Sequence, residues 1–264
     1  MTRRDDAGAR AGTTGDGADD GAGDGAGDGA GFRVLVMAKA PVAGRVKTRL
    51  GVDVGHDAAA RIASAALLDT LEAATAAAGA EGCHLALDGD LDDAVGAPEL
   101  RAALAGWTVT PQRGDGFAER LVAAHADAGP GLVVQVGMDT PHASADLLAA
   151  AAAPLQADEP AYDAVLGPAD DGGWWVLARR DPAVAAVLAG VEMSTDRTGA
   201  DTRDALVGAG WRVGTTVMLR DVDEVDDADA VAALAPGSHF ATAWSAAHVT
   251  TPGSGPGVVE EDPA

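Results

Sequence analysis

Apolar residues recur along this chain in short unbroken runs separated by longer segments with helical spacing. Apart from Arg33, Phe32 to Ala38 is wholly apolar, as in a strand buried on both faces. Similar short runs predict strands at Cys83–Leu87, Trp107–Thr110, Leu132–Val136, Ala164–Gly167, Trp174–Ala178 and within Trp211–Met218. Leu132–Val136 is the most apolar of these. Between them lie segments with helix signals. Asp57 can cap an Ala-rich helix in which Ile62, Ala66, Leu67 and Leu71 fall near helical spacing, and Gly79 ends it. Further helices are expected near 98–105, up to 128, after the cap residue Ser144, near 182–188 and 200–207, and after the acidic run that starts at Asp221. Strands alternating with helices predict a mostly parallel sheet covered on both faces, an α/β/α sandwich.

Composition sets the limits of this unit. Residues 1–31 are nearly all Gly, Ala, Asp, Thr and Arg. Such a segment has no core to bury and is expected to stay disordered. It has no apolar stretch of the signal-peptide kind. Residues 241–264 are assigned to a flexible tail, which leaves 32–240 as one folded domain. No run approaches the ~20 apolar residues that a membrane span needs. Cys83 is the only cysteine, so neither a disulfide framework nor a zinc cluster is expected, and a reducing cytoplasm is the natural compartment. The formal net charge of −23 argues against nucleic acid as a partner, because no extended basic patch exists to displace counterions.

Against that acidity, the loop after the first strand stands out. It carries Lys39, Arg45, Lys47 and Arg49 around Pro41 and Gly44, and Lys39 and Lys47 are the only lysines in the chain. Cations at the carboxyl end of a buried strand suit a polyanion such as a nucleotide phosphate. The alternative is a solvated turn whose cations offset nearby acids. The loop is not a Walker P-loop, since Val46 stands where Gly would precede Lys-Thr. Asp139 follows the most apolar strand and precedes Pro141, where a carboxylate would face the ligand crevice and could hold Mg²⁺. It could instead cap the next helix, but Ser144 is better placed for that. Asp221 and Asp223 alternate on one side of an extended segment and could face one cation, or belong to a solvated acidic turn. In Leu166–Trp175, two acids, Asp170 and Asp171, precede Gly172, Gly173, Trp174 and Trp175. That order suits a loop in which backbone approaches a ligand and an indole walls it, with Trp175 expected in the core. Gly114 and Asp115 lie in a turn that enters a helix, where backbone N–H groups can meet an anion, or where Asp115 acts as a simple N-cap.

Several of these stretches resemble one family. Met37-Ala-Lys-Ala-Pro-Val-Ala-Gly-Arg-Val-Lys-Thr-Arg-Leu50 is similar to the first motif of DUF2064, a glycosyltransferase-like family related to the 2-phospho-lactate and molybdenum-cofactor guanylyltransferases. Gly114-Asp-Gly-Phe-Ala-Glu-Arg-Leu121, Gly137-Met-Asp-Thr-Pro141, Gly167-Pro-Ala-Asp-Asp-Gly-Gly-Trp174, Ser194-Thr-Asp-Arg197 and Asp221-Val-Asp223 resemble later motifs of that family. Two departures are visible: Met138 replaces a small residue, and Glu224-Val225 stands where Thr-Pro is usual.

The resemblance implies a GT-A-like fold of the nucleotide-diphospho-sugar transferase type. It implies catalytic roles for Lys47, Asp139 and Asp171, and nucleotide binding by Lys39, Pro41, Gly44, Arg45, Lys47, Arg49, Gly114 and Asp115. The acceptor would meet Asp171, Gly172, Gly173 and Trp174 together with Ser194, Thr195, Asp196 and Arg197, the last of these on phosphate. Mg²⁺ or Mn²⁺ would be held by Asp139 with Asp223 or Asp221. The implied partners are a nucleotide or nucleotide sugar and a small-molecule acceptor, joined by glycosyl or nucleotidyl transfer. The change at Glu224-Val225 leaves one different class open, a catalytically idle nucleotide-binding regulator.

Overall fold

The structure, a computed structural model, describes residues 31–249. Each apolar run forms a strand: β1 (Arg33–Lys39), β2 (Cys83–Asp88), β3 (Thr108–Pro111), β4 (Val133–Gly137), β5 (Ala164–Pro168), β6 (Trp174–Arg179) and β7 (Val213–Thr215). They make one seven-stranded sheet in the order β3-β2-β1-β4-β6-β5-β7. β1 pairs parallel with both β2 and β4, β2 with β3, and β5 with β7. β6 alone is reversed, antiparallel to β4 and β5, as a strand returning through the tight turn 170–173 must be. The chain leaves β1 toward β2 on one side, and β4 later adds on the other. Strand order therefore switches at β1, and the crevice opens beyond the carboxyl ends of β1 and β4.

The helices are α1 (Thr48–Val54), α2 (His56–Ala78), α3 (Ala97–Ala103), α4 (Phe117–Asp127), α5 (Ala145–Gln156), α6 (Pro182–Ala186), α7 (Thr198–Gly208), α8 (Val225–Leu234) and α9 (His239–Val249). The period-two alternation of strand side chains divides the core into two faces. Val34, Val36, Val134 and Val136 point to one face and meet Leu67 and Leu71 of α2 and Leu148 of α5. Leu35, Met37 and Leu177 point to the other and meet Leu121 of α4, Val184 of α6 and Leu206 of α7. Ser144 caps α5 as expected, its hydroxyl accepting from Leu147 N at 3.3 Å. Asp57 does not cap α2. The chain turns at Gly55, with φ 87°, and Asp57 lies within the first turn, where a carboxylate still favours the positive end of the helix dipole.

The domain boundary expected at 240 falls inside α9. Residues 241–249 are helical and continue the domain, because α9 has an apolar face that a reading of its tail-like flanks overlooks. Phe240 and Trp244 are buried against Ile62 and Ala66 of α2 and Val231 of α8, and truncating such a buried aromatic typically costs about 3–5 kcal/mol. Asp69 on α2 accepts from the first amides of α9, His239 N at 3.0 Å and Phe240 N at 2.8 Å, and Glu72 pairs with His239 at 3.0 Å. Asp69, Glu72 and His239 form the one group of three possible metal ligands among the described residues, and these contacts employ it in fastening α9. Of the tails assigned to 1–31 and 241–264, residues 1–30 and 250–264 lie outside the described residues.

Candidate active site

The crevice beyond β1 and β4 is a cavity of about 700 Å³. The loop after β1 supplies its cations. Lys39 ends the strand, and Lys47 stands just before α1 with φ 45° and ψ 47°, a left-handed backbone that costs a non-glycine residue about 1–2 kcal/mol. That conformation aims the side chain inward. The ammonium lies 2.5 Å from Asp139 Oδ1 and 3.3 Å from Asp223 Oδ1, and also donates to the carbonyl of Val222. Burial disfavours the ammonium, yet Asp139 and Asp223 outweigh it and raise Lys47 above the usual lysine range. Arg49 reaches the other oxygen of Asp223 at 3.2 Å.

Asp139 and Asp223 come from segments far apart in sequence. Asp139 follows β4, and its carbonyl accepts from Val222 N at 2.9 Å, which ties the 221–223 strap to the end of β4. Val222 is buried while its two neighbours point into the cavity, the alternation anticipated for Asp221 and Asp223. Burial, then the charges of Asp171 and Asp223, push the Asp221 carboxyl up to about 6. Glu224-Val225 leaves the strap intact. Glu224 is the N-cap of α8 and forms a capping box with Asp227, so an acidic pair performs the turn that Thr-Pro makes in the family pattern.

Asp139 and Asp223 fit a divalent cation, since both already converge on one cationic atom. Two carboxylates offering only oxygen suit a hard ion that completes its shell with water and substrate phosphate. Asp221 lines the same cavity, but Asp139, Asp221 and Asp223 do not bring three oxygens within 4.8 Å of one another.

The opposite wall is the acceptor side of the sequence reading. Asp171, Gly173 and Trp174 line it with Ser194, Thr195 and Asp196. Asp171 Oδ1 accepts from Gly173 N at 2.7 Å, and Trp174 Nε1 donates to Thr202 at 3.2 Å. Trp175 lies in the core as expected, 3 % exposed. The loop 170–173 interlocks with the segment 194–199: Gly199 N donates to Gly172 O at 2.8 Å, and a Cβ on Gly172 would lie 2.0 Å from Asp196 O.

Lys39, Arg45, Lys47, Arg49, Asp139, Asp171, Asp221 and Asp223 thus share one cavity, while Pro41, Gly44, Gly114, Asp115, Gly172 and Arg197 do not line it. Arg197 pairs instead with Asp201 at 3.0 Å, one turn along α7. The N-cap of α4 is Gly116 rather than Asp115, and the Asp115 amide is taken by Glu119 at 2.9 Å. The charged residue of that motif that does reach the cavity is Arg120, held by Asp88 at 2.8 Å. Gln112, Phe117, Gln135 and Met193 also line it and were not identified from sequence. A glutamine inside the most apolar strand was the one available signal.

Residues 70–195 match the sequence pattern of the family DUF2064, described as an uncharacterized protein conserved in bacteria. No curated protein matches the chain. Among solved structures the chain is similar to a protein of Desulfovibrio desulfuricans G20 provisionally assigned as a nucleotide-diphospho-sugar transferase. The identity is 30 %, the TM-score 0.67, and the match covers 81 % of this chain and 92 % of that one. A cytidylyltransferase from Leptospira borgpetersenii serovar Hardjo-bovis is similar in fold alone, at 12 % identity and TM-score 0.51 over 75 % of this chain and 83 % of that one. Together with the sheet order, these likenesses make the fold GT-A-like, as the sequence motifs implied.

Proposed function

The chain belongs to the DUF2064 family, and from that premise we propose that it is a divalent-metal-dependent transferase that takes a nucleotide-diphospho-sugar as donor and a small hydroxyl-bearing molecule as acceptor. One observation carries the proposal: Asp139, Asp223 and the buried ammonium of Lys47 meet at the carboxyl ends of the central strands, in the cavity that Lys39, Arg45 and Arg49 also line. The assignment of the 30 %-identical relative supports the choice of donor.

Transfer needs charge neutralised on the departing diphosphate and the acceptor held in line behind the sugar carbon. Lys47, Arg45 and Arg49 supply fixed positive charge on the donor side. Asp139 and Asp223 would hold Mg²⁺ or Mn²⁺, which when bound draws charge from the diphosphate oxygens. On the acceptor side, Asp171 is oriented by the Gly173 amide and can take the proton that the attacking hydroxyl gives up. The nearby Asp221 carboxyl, pushed up to about 6, adds less negative charge there than a fully ionised acid would.

The test is a screen of nucleotide sugars and nucleoside triphosphates, each with Mg²⁺, Mn²⁺ or chelator. A donor present at a hundred times its dissociation constant should stabilise the protein by about 2.7 kcal/mol. With an acceptor mixture, glycosyl transfer releases a nucleoside diphosphate and nucleotidyl transfer releases pyrophosphate. Pyrophosphate as the sole product would replace the donor named here with a triphosphate. Binding of nucleotide with no release of either product from any acceptor would favour the regulator.

A further inference from the structure

Gln135 lies at the cavity floor and has no part in the chemistry above. It is central in β4, opposite Leu35 of β1 and Leu177 of β6, on the face covered by α4. It is 3 % exposed, and it lines the cavity with Met37, Phe117 and Trp174. Its Oε1 is buried and has no hydrogen-bond partner. Behind it lies Arg179, fully buried, whose guanidinium is spent on carbonyls: His125 O at 2.7 Å, Gly129 O at 2.9 Å and Gly131 O at 3.1 Å. Its Nε donates to His125 Nδ1 at 3.1 Å.

That last contact sets a direction. Arginine can only donate, so Nδ1 must be the bare nitrogen of the imidazole. Burial, and then the charge of Arg179, push His125 down to about 3, so the ring is neutral at neutral pH and its one proton sits on Nε2. Nε2 is likewise buried and without a partner, and Gln135 is the side chain near enough to favour a proton on His125. The two unpartnered atoms are therefore a donor and an acceptor, and a hydrogen bond between them is the pairing that would satisfy both. Turning Oε1 toward His125 leaves the amide NH₂ as the end of Gln135 that faces the cavity.

We propose that Arg179 and His125 lock the Gln135 amide so that it presents an N–H donor at the cavity floor, making Gln135 the specificity residue for an acceptor substrate that carries a carboxylate or carbonyl oxygen on an apolar body. The inference rests on the transferase proposal for the identity of that ligand as the acceptor. The walls supply the apolar part of the match through Met37, Phe117, Trp174 and Met193. An ammonium at the same point would set donor against donor, and flipping the amide to receive it would turn its NH₂ against His125 Nε2–H, two buried donors with no acceptor between them. Arg120 on the same wall adds positive charge that favours an anionic oxygen.

The experiment uses the full chain and does not depend on turnover. Nitrogen-15 NMR of the imidazole reports the His125 tautomer, and a panel of small aryl and alkyl carboxylates, their neutral amides and their amine counterparts is tested for binding by saturation transfer. The expected results are a proton on Nε2, binding of carboxylates or amides but not amines, and retention of the tautomer in Gln135→Met. In that near-isosteric variant the oxygen-bearing probes should bind about tenfold more weakly, the equivalent of one hydrogen bond of about 1.4 kcal/mol. A proton on Nδ1 overturns the proposal even if the variant fails to fold. So does equal binding of the probes by Gln135→Met, preference for amines, or no binding of any oxygen-bearing probe to the parent. Product release in the donor screen stands apart from all of these, so the transferase proposal can fail while the amide lock survives, or the reverse.

Discussion

Lys47 and Asp139 form an ion pair in which the lysine side chain is 6 % exposed and the carboxylate 50 % exposed, with Nζ and Oδ1 2.5 Å apart. The asymmetry matters for function. The carboxylate keeps a face to the cavity where it can meet a second ligand, whereas the ammonium is buried in a place that its own strained backbone dictates.

Replacing Lys47 therefore separates two effects. Lys47→Ala removes the ammonium and keeps the left-handed strain, while Lys47→Gly removes both. Both variants should bind nucleotide more weakly than the parent in calorimetry. The glycine variant should be the more stable of the two by about 1 kcal/mol in urea unfolding. Nucleotide affinity unchanged in Lys47→Ala would remove this residue from the phosphate site.

The interlocked loops on the acceptor side give a second prediction. Gly172 has φ +92°, and a Cβ there would lie 2.0 Å from Asp196 O. Gly172→Ala must push the 194–198 loop away or lose the turn. It is expected to cost about 1–3 kcal/mol from backbone strain alone and to depress product release more than its stability loss explains. Gly190→Ala, where a new Cβ meets nothing within 4 Å, is the control and should change neither quantity.

The pH dependence of stability gives a third. His125 is held near 3 in the fold against about 6.5 in an unfolded chain. Below 6.5 the unfolded state takes up a proton that the native state refuses, so this residue lowers stability as pH falls from 6.5 toward 3, by about 1.4 kcal/mol per unit. His84 and His142, also lowered by burial, act in the same direction. Asp69 and Asp221, both raised by burial, act oppositely, since the native state there binds the extra proton and loses stability as pH rises. The clean quantity is a difference. Stability of the parent minus that of His125→Asn, measured by urea unfolding at pH 7, 6 and 5, should shrink as pH falls. A constant difference would mean that His125 titrates normally in the fold.

Much of the fold was legible because each strand is an apolar run bounded by polar or Gly-rich sequence, and buried parallel strands write themselves that way. α1 was not legible. Its N-cap, Lys47, makes no capping hydrogen bond, Gly51 sits in its middle, and what holds it is Leu50 packing beside Ile62, Val222 and Val231, contacts that span most of the chain. α9 was hidden for a related reason, since its cap is Asp69, about 170 residues away in sequence. In the site, the charged loops were legible because fixed positive charge is conspicuous in so acidic a chain. The floor was not. Met37, Phe117 and Met193 carry no distinguishing local signal until the fold brings them to one cavity, and nothing in the local sequence around Gln135 announces Arg179 or His125 behind it.

The last prediction concerns the carboxylates. Asp139 and Asp223 both contact Lys47 Nζ, so a single cation can reach both, whereas Asp221 shares their cavity as a neighbour of Asp171 and Asp223. Asp139→Asn and Asp223→Asn should each abolish turnover and weaken Mn²⁺ binding followed by electron paramagnetic resonance, because a neutral amide is a far poorer ligand for a hard cation. Asp221→Asn should reduce both only in part, as expected of a residue that orients a ligand rather than serving as one. The fold should persist in all three, since Asn matches Asp in size and a single change at 139 or 223 leaves the Lys47 ammonium its other carboxylate. Asp223→Asn also frees Arg49 from its partner at 3.2 Å, an exposed pair worth about 0–1 kcal/mol, too little to mimic the loss of a metal. Asp139→Asn retaining full metal-dependent turnover would place the cation elsewhere in the cavity, and turnover insensitive to chelator in the parent would remove it from the reaction.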